Sequence, residues 1–323
     1  MMRKYIAEGL GMIAAAILTS FFAVSFALPT NAAGVRMVRH VNVDGLERRY
    51  ILWLPDRYRQ KAALPVVLAF HGGFMVPEGF EELTELHEAP EARNFIIVYP
   101  EGYRHFWNEG GGCCGPAIEA HVDDARFVHV MLNDIATVAP IDRRRVYATG
   151  YSNGAGLSYY LACVLSNEIT AISPVSGAMR EPEAQCHPTH PVPVLHWHGM
   201  QDHASPYNGG ESTAKMVAIP QSVPAGIGIW RRIDGTQTEA HESIYGGTAD
   251  CDIYGGGRDG SVVELCRVLQ MGHRWPGSQP SPRTERGDQV IARFVGQLGP
   301  FSPTTDANDS MLKFFMRFAI PTS

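Results

Sequence analysis

The run Gly150–Tyr151–Ser152–Asn153–Gly154 is where this sequence first offers chemistry. A serine flanked at two residues' distance by glycines suits a sharp strand-to-helix turn, because neither glycine has a side chain to collide across the bend. Such a turn lifts the Ser152 hydroxyl over the sheet edge as a nucleophile. The Asn153 amide then points where negative charge would build on an attacked carbonyl, and the helix N-terminus adds favourable potential. An ordinary polar turn that caps a helix has the same composition. The surroundings favour the nucleophile: Val146–Thr149 reads as a buried strand before the turn and Gly154–Leu165 as an apolar helix after it.

A serine nucleophile needs a base, and the base needs an acid that fixes its tautomer. After such a turn the expected chain order is serine, acid, histidine. Val192–Trp197 is an apolar strand, and Asp202 sits in the loop beyond its C-terminal end. Open α/β sheets gather their working groups at that edge. Asp234, Asp250 and Asp259 are alternatives, but none directly follows a core strand. His273 lies in a Gly- and Pro-bounded loop after the last clear strand, placed to take the serine proton on Nε2 while Asp202 holds Nδ1–H. The second oxyanion donor belongs after an early central strand, which points to the Gly73 amide in LAFHGGF, with Phe74 as the alternative. His71 reads as a buttress of that turn. The chemistry of such a set is two-step acyl transfer at a carbonyl, expected to need no cofactor and no metal. His196, His198 and His203 could be counted as metal ligands, but they straddle a strand and a turn and have no carboxylate partner. Trp107, Trp197, Tyr207 and Trp275 have loop addresses and are the candidates for holding substrate, with loop packing the equal alternative; Trp53 and Trp230 fall in regular elements and read as core.

The elements that must position these groups follow from hydrophobic patterning. Val35–Val43 and Arg48–Leu54 are β-rich runs around an Asp44–Gly45 hairpin signal. Leu64–Phe70, Phe95–Tyr99, Val146–Thr149, Ala171–Val175 and Val192–Trp197 are short continuous apolar runs, as expected of strands buried on both faces of a parallel sheet. Helical spacing lies between them, over Phe80–Arg93, His121–Val138 and Gly154–Leu165. Further on, the pattern predicts a helix over Val223–Arg232, strands over Ser243–Tyr254 and Val262–Met271, a short helix at Gln289–Leu298 and a closing amphipathic helix over Asp309–Phe318. The sum is a three-layer α/β fold with a mostly parallel central sheet flanked by helices, in one domain over residues 34–323.

Residues 1–33 read as a signal peptide: Arg3 and Lys4, an apolar run to Leu28, then small residues that allow cleavage after positions 27 to 33. An uncleaved anchor is the alternative. Export makes the chain secreted or periplasmic and turns six cysteines into disulfide candidates. Cys251 with Cys266 is the first pairing, since they flank a Gly-rich turn; Cys163 with Cys186 is the second, and the adjacent Cys113–Cys114 stays open. A net charge of −6 with no basic block leaves no electrostatic footprint for nucleic acid. No stable membrane association is expected after cleavage, and the chain reads as a monomer or weak homodimer.

Several of these stretches together resemble one family. PVVLAFHGG, YPEG (Tyr99–Gly102), WNEGGGCCGPA (Trp107–Ala117), Asp123–Asp124, IDRRRVYATGYSNG, PVPVLHWHGMQD, PYNGG and GHRWPG resemble the polyhydroxybutyrate depolymerase and feruloyl esterase family of α/β-hydrolases. The likeness runs over about residues 36–277 and the last helix. It implies the α/β-hydrolase fold and a nucleophile, acid and base at Ser152, Asp202 and His273. It also implies a polymeric or oligomeric ester substrate: first a poly(3-hydroxybutyrate)-type polyester, alternatively a feruloyl or acetylxylan ester. A catalytically inactive secreted binding protein is the reading from another class. The chain departs from the family pattern at Ala155–Gly156, which are small, and at Arg274, where a small or hydroxylated residue is usual. No appended linker or substrate-binding domain is read in it.

Overall fold

The computed structural model describes residues 34–111, 115–213 and 221–321. The leader expected at 1–33 and the Cys113–Cys114 pair lie outside these residues.

Among the described residues one mixed sheet runs through β1 (Gly34–Val43), β2 (Leu46–Pro55), β3 (Leu64–Phe70), β4 (Ile96–Pro100), β5 (Ile141–Tyr151), β6 (Ala171–Val175), β7 (Val194–Gly199), β8 (Thr238–Ile244), β9 (Ala249–Gly255) and β10 (Val263–Val268). Its spatial order is β1-β2-β4-β3-β5-β6-β7-β10-β9-β8. The centre, from β4 to β10, is parallel, and antiparallel pairs close both edges. Asp44 and Gly45 take positive φ (52° and 89°), the two-residue turn whose twist matches its flanking strands.

The helices are α1 (Pro77–Thr84), α2 (Pro116–Glu119), α3 (Asp124–Val138), α4 (Asn153–Val164), α5 (Val223–Asp234), α6 (Pro282–Val295) and α7 (Ala307–Phe315). Alternation along the fully buried β3 divides the core. Val66, Leu68 and Phe70 pack with α3, α4 and α5 on one face. Val67 and Ala69 pack with α1 and α7 on the other. Side chains that strictly alternate on a continuous apolar strand require cover on both faces.

The expected helix over Phe80–Arg93 ends early. Glu85 turns left-handed (φ 45°) after Thr84, and two short 3₁₀ turns follow at Leu86–Glu88 and Pro90–Asn94. Pro90 cannot donate to a continuing helix and holds Ala89 extended. The single strand expected over Ser243–Tyr254 is two, β8 and β9, because Gly246 and Gly247 reverse the chain at positive φ. β8 reads TEAHESI and is exposed up to Ile244, so it carries no apolar alternation to announce it. α6 begins at Pro282, ahead of the expected Gln289.

Both disulfides expected outside the vicinal pair are present. Cys251 and Cys266 are direct partners across β9 and β10, and Cys163 ties the end of α4 to Cys186. Loops of 15 and 23 residues closed in this way each contribute about 3 kcal/mol by constraining the unfolded chain. No helix among the described residues is long and apolar enough to cross a membrane.

Candidate active site

Ser152 sits at the joint between β5 and α4 with φ 56° and ψ −114°, a conformation that costs a non-glycine residue about 1–3 kcal/mol. The surroundings hold it there. Its N–H donates to Val175 O at 3.0 Å, and its carbonyl accepts from Ala155 and Gly156 at 3.0 and 3.2 Å. The two glycines of the turn are needed for contact: a Cβ on Gly150 would lie 2.3 Å from Gly154 O, and one on Gly154 would lie 2.2 Å from Phe70 O. The elbow is thus packed backbone-to-backbone on the end of β3.

β7 and β10 bring the other two groups to the same edge. His273 Nδ1 lies 2.8 Å from Asp202 Oδ2, and both residues are buried. The Ser205 amide donates to Asp202 Oδ1 at 2.7 Å. The His273 backbone is pinned as well: its N–H donates to Leu298 O at 2.6 Å, and the Tyr151 hydroxyl donates to its carbonyl at 2.7 Å. Ser152, Asn153, Gly73 and His273 line one cavity.

Behind Asp202 runs a chain of buried hydrogen bonds. The Tyr159 hydroxyl lies 2.9 Å from His196 Nδ1, His196 Nε2 lies 3.1 Å from His198 Nδ1, and His198 Nε2 lies 2.7 Å from Ser205 O. A carbonyl can only accept, so His198 carries its proton on Nε2 and accepts on Nδ1; His196 then donates from Nε2 and accepts from Tyr159. Burial pushes the pKa of both imidazoles down, which suits this neutral, fully paired chain. The two rings counted as possible metal ligands are spent on holding the Asp202 loop, and His203 is exposed.

Of the two oxyanion alternatives on the β3 loop, Phe74 has its amide committed to His105 O at 3.0 Å. Gly73 lines the cavity, and no acceptor among the described residues takes its N–H. The Asn153 amide opens α4, where a helix has no internal partner for it. Its side chain clamps the neighbouring loop: Oδ1 accepts from Trp107 N at 2.8 Å. His71 braces the β3 turn, as its place suggested. Its Nε2 accepts from the Gly102 amide at 2.9 Å, Nδ1 faces Gly72 O at 2.8 Å, and burial pushes its pKa down to about 4.

The four aromatic candidates for substrate contact stand elsewhere. Trp107 and Trp197 are fully buried in the core; the Trp107 indole donates to His71 O at 2.8 Å. Trp275 is buried with its indole on Asn308 Oδ1 and borders a second cavity. Tyr207 is half-buried, with its ring edge toward His198. None of them lines the cavity at Ser152. Its apolar walls are Phe74, Phe106, Tyr151, Ile291, Phe294 and Val295, and its polar side is the pair of half-buried Arg180 and buried Glu109 (2.9 Å). These residues carried little signal: Phe294 belongs to a helix rich in charged residues whose apolar side is not buried, and Glu109 lies among glycines that matter for close packing.

Comparisons with known proteins place the chain among esterases. No family model matches the chain. It is 26% identical over 236 residues to feruloyl esterase B of Piromyces equi, covering 70% of this chain and 42% of that one. It is 31% identical over 193 residues to a protein assigned as feruloyl esterase C in Aspergillus clavatus, covering 58% and 64%. It is 30% identical over 256 residues to a protein assigned as the esterase NocK in Nocardia uniformis subsp. tsuyamanensis, covering 74% of each. The chain belongs to the feruloyl-esterase-like α/β-hydrolases. In the two feruloyl esterases the match spans less than two thirds of the relative's own length. Among solved structures, the acetyl xylan esterase from Aspergillus awamori superposes with a TM-score of 0.53 at 15% identity, over 80% of this chain and 98% of that one. At that identity the likeness shows the fold alone: a mostly parallel sheet flanked by helices.

Proposed function

We propose that this chain is a serine esterase acting on plant cell-wall esters, feruloyl or acetyl, with Ser152 as nucleophile, His273 as base and Asp202 as orienting acid. The observation that carries the proposal is the Asp202–His273 hydrogen bond at the wall of the cavity that the strained Ser152 lines. In the first step Ser152 Oγ attacks the ester carbonyl as His273 Nε2 takes its proton. The oxyanion is held by the Asn153 and Gly73 amides, and the alcohol leaves with the proton from His273. Water, deprotonated by His273, then releases the acid and regenerates Ser152. Each oxyanion donor is worth about 3–4 kcal/mol in the transition state.

The names of the relatives shift the substrate reading. A poly(3-hydroxybutyrate)-type polyester, the first expectation, gives way to its alternative, since the matched relatives are named for feruloyl esters. The mature chain is read as one catalytic domain from residue 34 and as secreted or periplasmic, where disulfides such as Cys163–Cys186 and Cys251–Cys266 persist. The test is acid release from methyl ferulate, acetylated xylan and amorphous poly(3-hydroxybutyrate), with Ser152→Ala as the blank. Hydrolysis of a ferulate or acetyl ester that disappears in the variant supports the reading. Equal rates in the variant would remove Ser152 from the mechanism, and polyester as the one substrate cleaved would restore the first expectation.

A further inference from the structure

The helix α6 contributes Ile291, Phe294 and Val295 to the cavity at Ser152, yet it rests lightly on the protein. None of its described side chains is buried, whereas five side chains of α7, which is shorter, are. Val290 and Phe294 are exposed, Phe294 at 42%. An amphipathic helix with so little buried surface belongs to the low-stability end of a fold, where local opening costs least.

Several attachments hold it among the described residues. The Phe294 ring stacks on Phe74, with centroids 4.3 Å apart and planes 14° apart. Phe74 directly follows Gly73 and is itself held at φ 67°. Arg274, directly after His273, donates from Nη1 to Asp288 on α6. The same guanidinium donates from Nε to Gly299 O at 3.1 Å and lies 3.9 Å over the Phe301 ring. At the C-terminal end, Thr213 Oγ1 donates to Val295 O at 2.7 Å. Two of the attachments therefore reach residues adjacent to the proposed oxyanion donor and the proposed base. Arg274 is also one of the two places where the sequence departs from the family pattern it resembles.

A second cavity lies on the other side of this wall. Phe74, Tyr151 and Ile291 line both spaces, and Met75, Leu83, Trp275, Asp288 and Val290 help to enclose the second. The space at Ser152 is about 70 Å³ and the second about 300 Å³. With α6 in place, the space that the nucleophile lines is the smaller of the two, and Phe74, Tyr151 and Ile291 stand between it and the larger one.

We propose that α6 sets acyl specificity: Phe294 on Phe74 and Asp288 on Arg274 hold the helix over Ser152, so that short acyl esters react with it closed and feruloyl-sized esters react only when it moves aside. Phe294 and Asp288 are specificity-determining residues here and take no part in bond making. This rests on the esterase reading and says which part of the protein chooses between acetyl and feruloyl esters.

The experiment compares 4-nitrophenyl acetate with 4-nitrophenyl ferulate, so that the leaving group is constant, in the wild type, Phe294→Ala and Asp288→Asn. Phe294→Ala should raise the ferulate-to-acetate ratio of kcat/KM at least tenfold, and Asp288→Asn several-fold, through a lower KM on ferulate. Ratios unchanged in both variants, or parallel losses on both esters, would overturn the proposal. Hydrogen exchange of the 282–295 amides gives a readout without substrate: Asp288→Asn should accelerate it at least fivefold over wild type while the α4 amides stay protected. Unchanged exchange across α6 would also overturn it. If neither ester is cleaved, the esterase reading fails by itself and the hold on α6 is judged by exchange alone.

Discussion

Asp202→Asn is the sharpest test of the proposed charge arrangement, because the structure fixes which way the new amide must face. The Ser205 N–H points at Oδ1 from 2.7 Å, so the asparagine carbonyl stays there. Its NH₂ then occupies the Oδ2 position, 2.8 Å from His273 Nδ1, and presents a donor. Nδ1 must be bare to accept it, which moves the imidazole proton to Nε2, the atom that should receive the proton of Ser152. His198 cannot take over the role of acid. Its Nε2 is 3.5 Å from Asp202 Oδ2, but its proton is already given to Ser205 O at 2.7 Å. A histidine held in the wrong tautomer costs about 10⁴ in kcat, about 5 kcal/mol of barrier. The assay is steady-state hydrolysis of 4-nitrophenyl acetate at pH 7, with thermal unfolding run in parallel. The variant should unfold within a few degrees of wild type. A loss of less than tenfold in a folded variant would refute the argument that Asp202 sets the tautomer.

Two further perturbations test the scaffold. Asp234 is buried with Val192 N on Oδ1 (3.1 Å) and the Ser261 hydroxyl on Oδ2, and burial raises its pKa from 3.8 to about 7. The folded chain therefore keeps a proton that the unfolded chain loses, so this contribution is complete below pH ~4 and is lost as pH rises to ~7, about 4 kcal/mol in all. Asp234→Asn should flatten that window and be the more stable chain at pH 7.5, read from urea midpoints at pH 4.5 and 7.5; parallel wild-type and variant curves would count against it. Gly154→Ala places a Cβ 2.2 Å from Phe70 O and 2.7 Å from His71 O, backbone that cannot yield, and should cost about 1–3 kcal/mol and most of the activity. Gly228→Ala in α5 meets nothing nearer than Arg232 Nη1 at 3.7 Å and should stabilise by about 1 kcal/mol, so equal denaturant midpoints for the two alanine variants would contradict the packing argument.

The contrast between these two glycines also explains what could be read from the chain alone. Strands β3, β4, β6 and β7, and β5 from Val146 on, are buried on both faces, so their apolar runs stand out, and the elbow is legible because its glycines are forced by backbone contact. The order Ser152, Asp202, His273 followed from which loops leave the same edge of a parallel sheet. Edge and surface elements lack that constraint. β8 is polar along nearly its whole length, and α6 buries none of its described side chains, so neither needs an apolar repeat. For the aromatic candidates a loop address leaves substrate contact and packing equally open. Position next to a loop does not say which way an indole points, and Trp107, Trp197 and Trp275 turn inward to fill the core. The residues that do wall the cavity (Phe74, Phe106 with Glu109, Tyr151, Arg180 and Ile291–Val295) come from five segments distant in sequence, brought together by tertiary packing.

That division between what is legible and what is not follows the division of labour in the site. The proposed nucleophile, base and acid are tied to core strands by backbone hydrogen bonds, by the Tyr159–His196–His198 chain and by glycines pressed on neighbouring carbonyls. Sub-ångström placement of reacting groups requires supports of this kind. The α6 part of the wall that faces the substrate's acyl group buries none of its described side chains and is tied to the site's loops by a ring stack and polar contacts. Substitutions on α6 therefore act on few buried contacts, and their stability cost stays small beside that of a core change. A fold built this way can change which ester it accepts by altering Phe294 or Asp288 while the Ser152 elbow and the Asp202–His273 pair stay as they are.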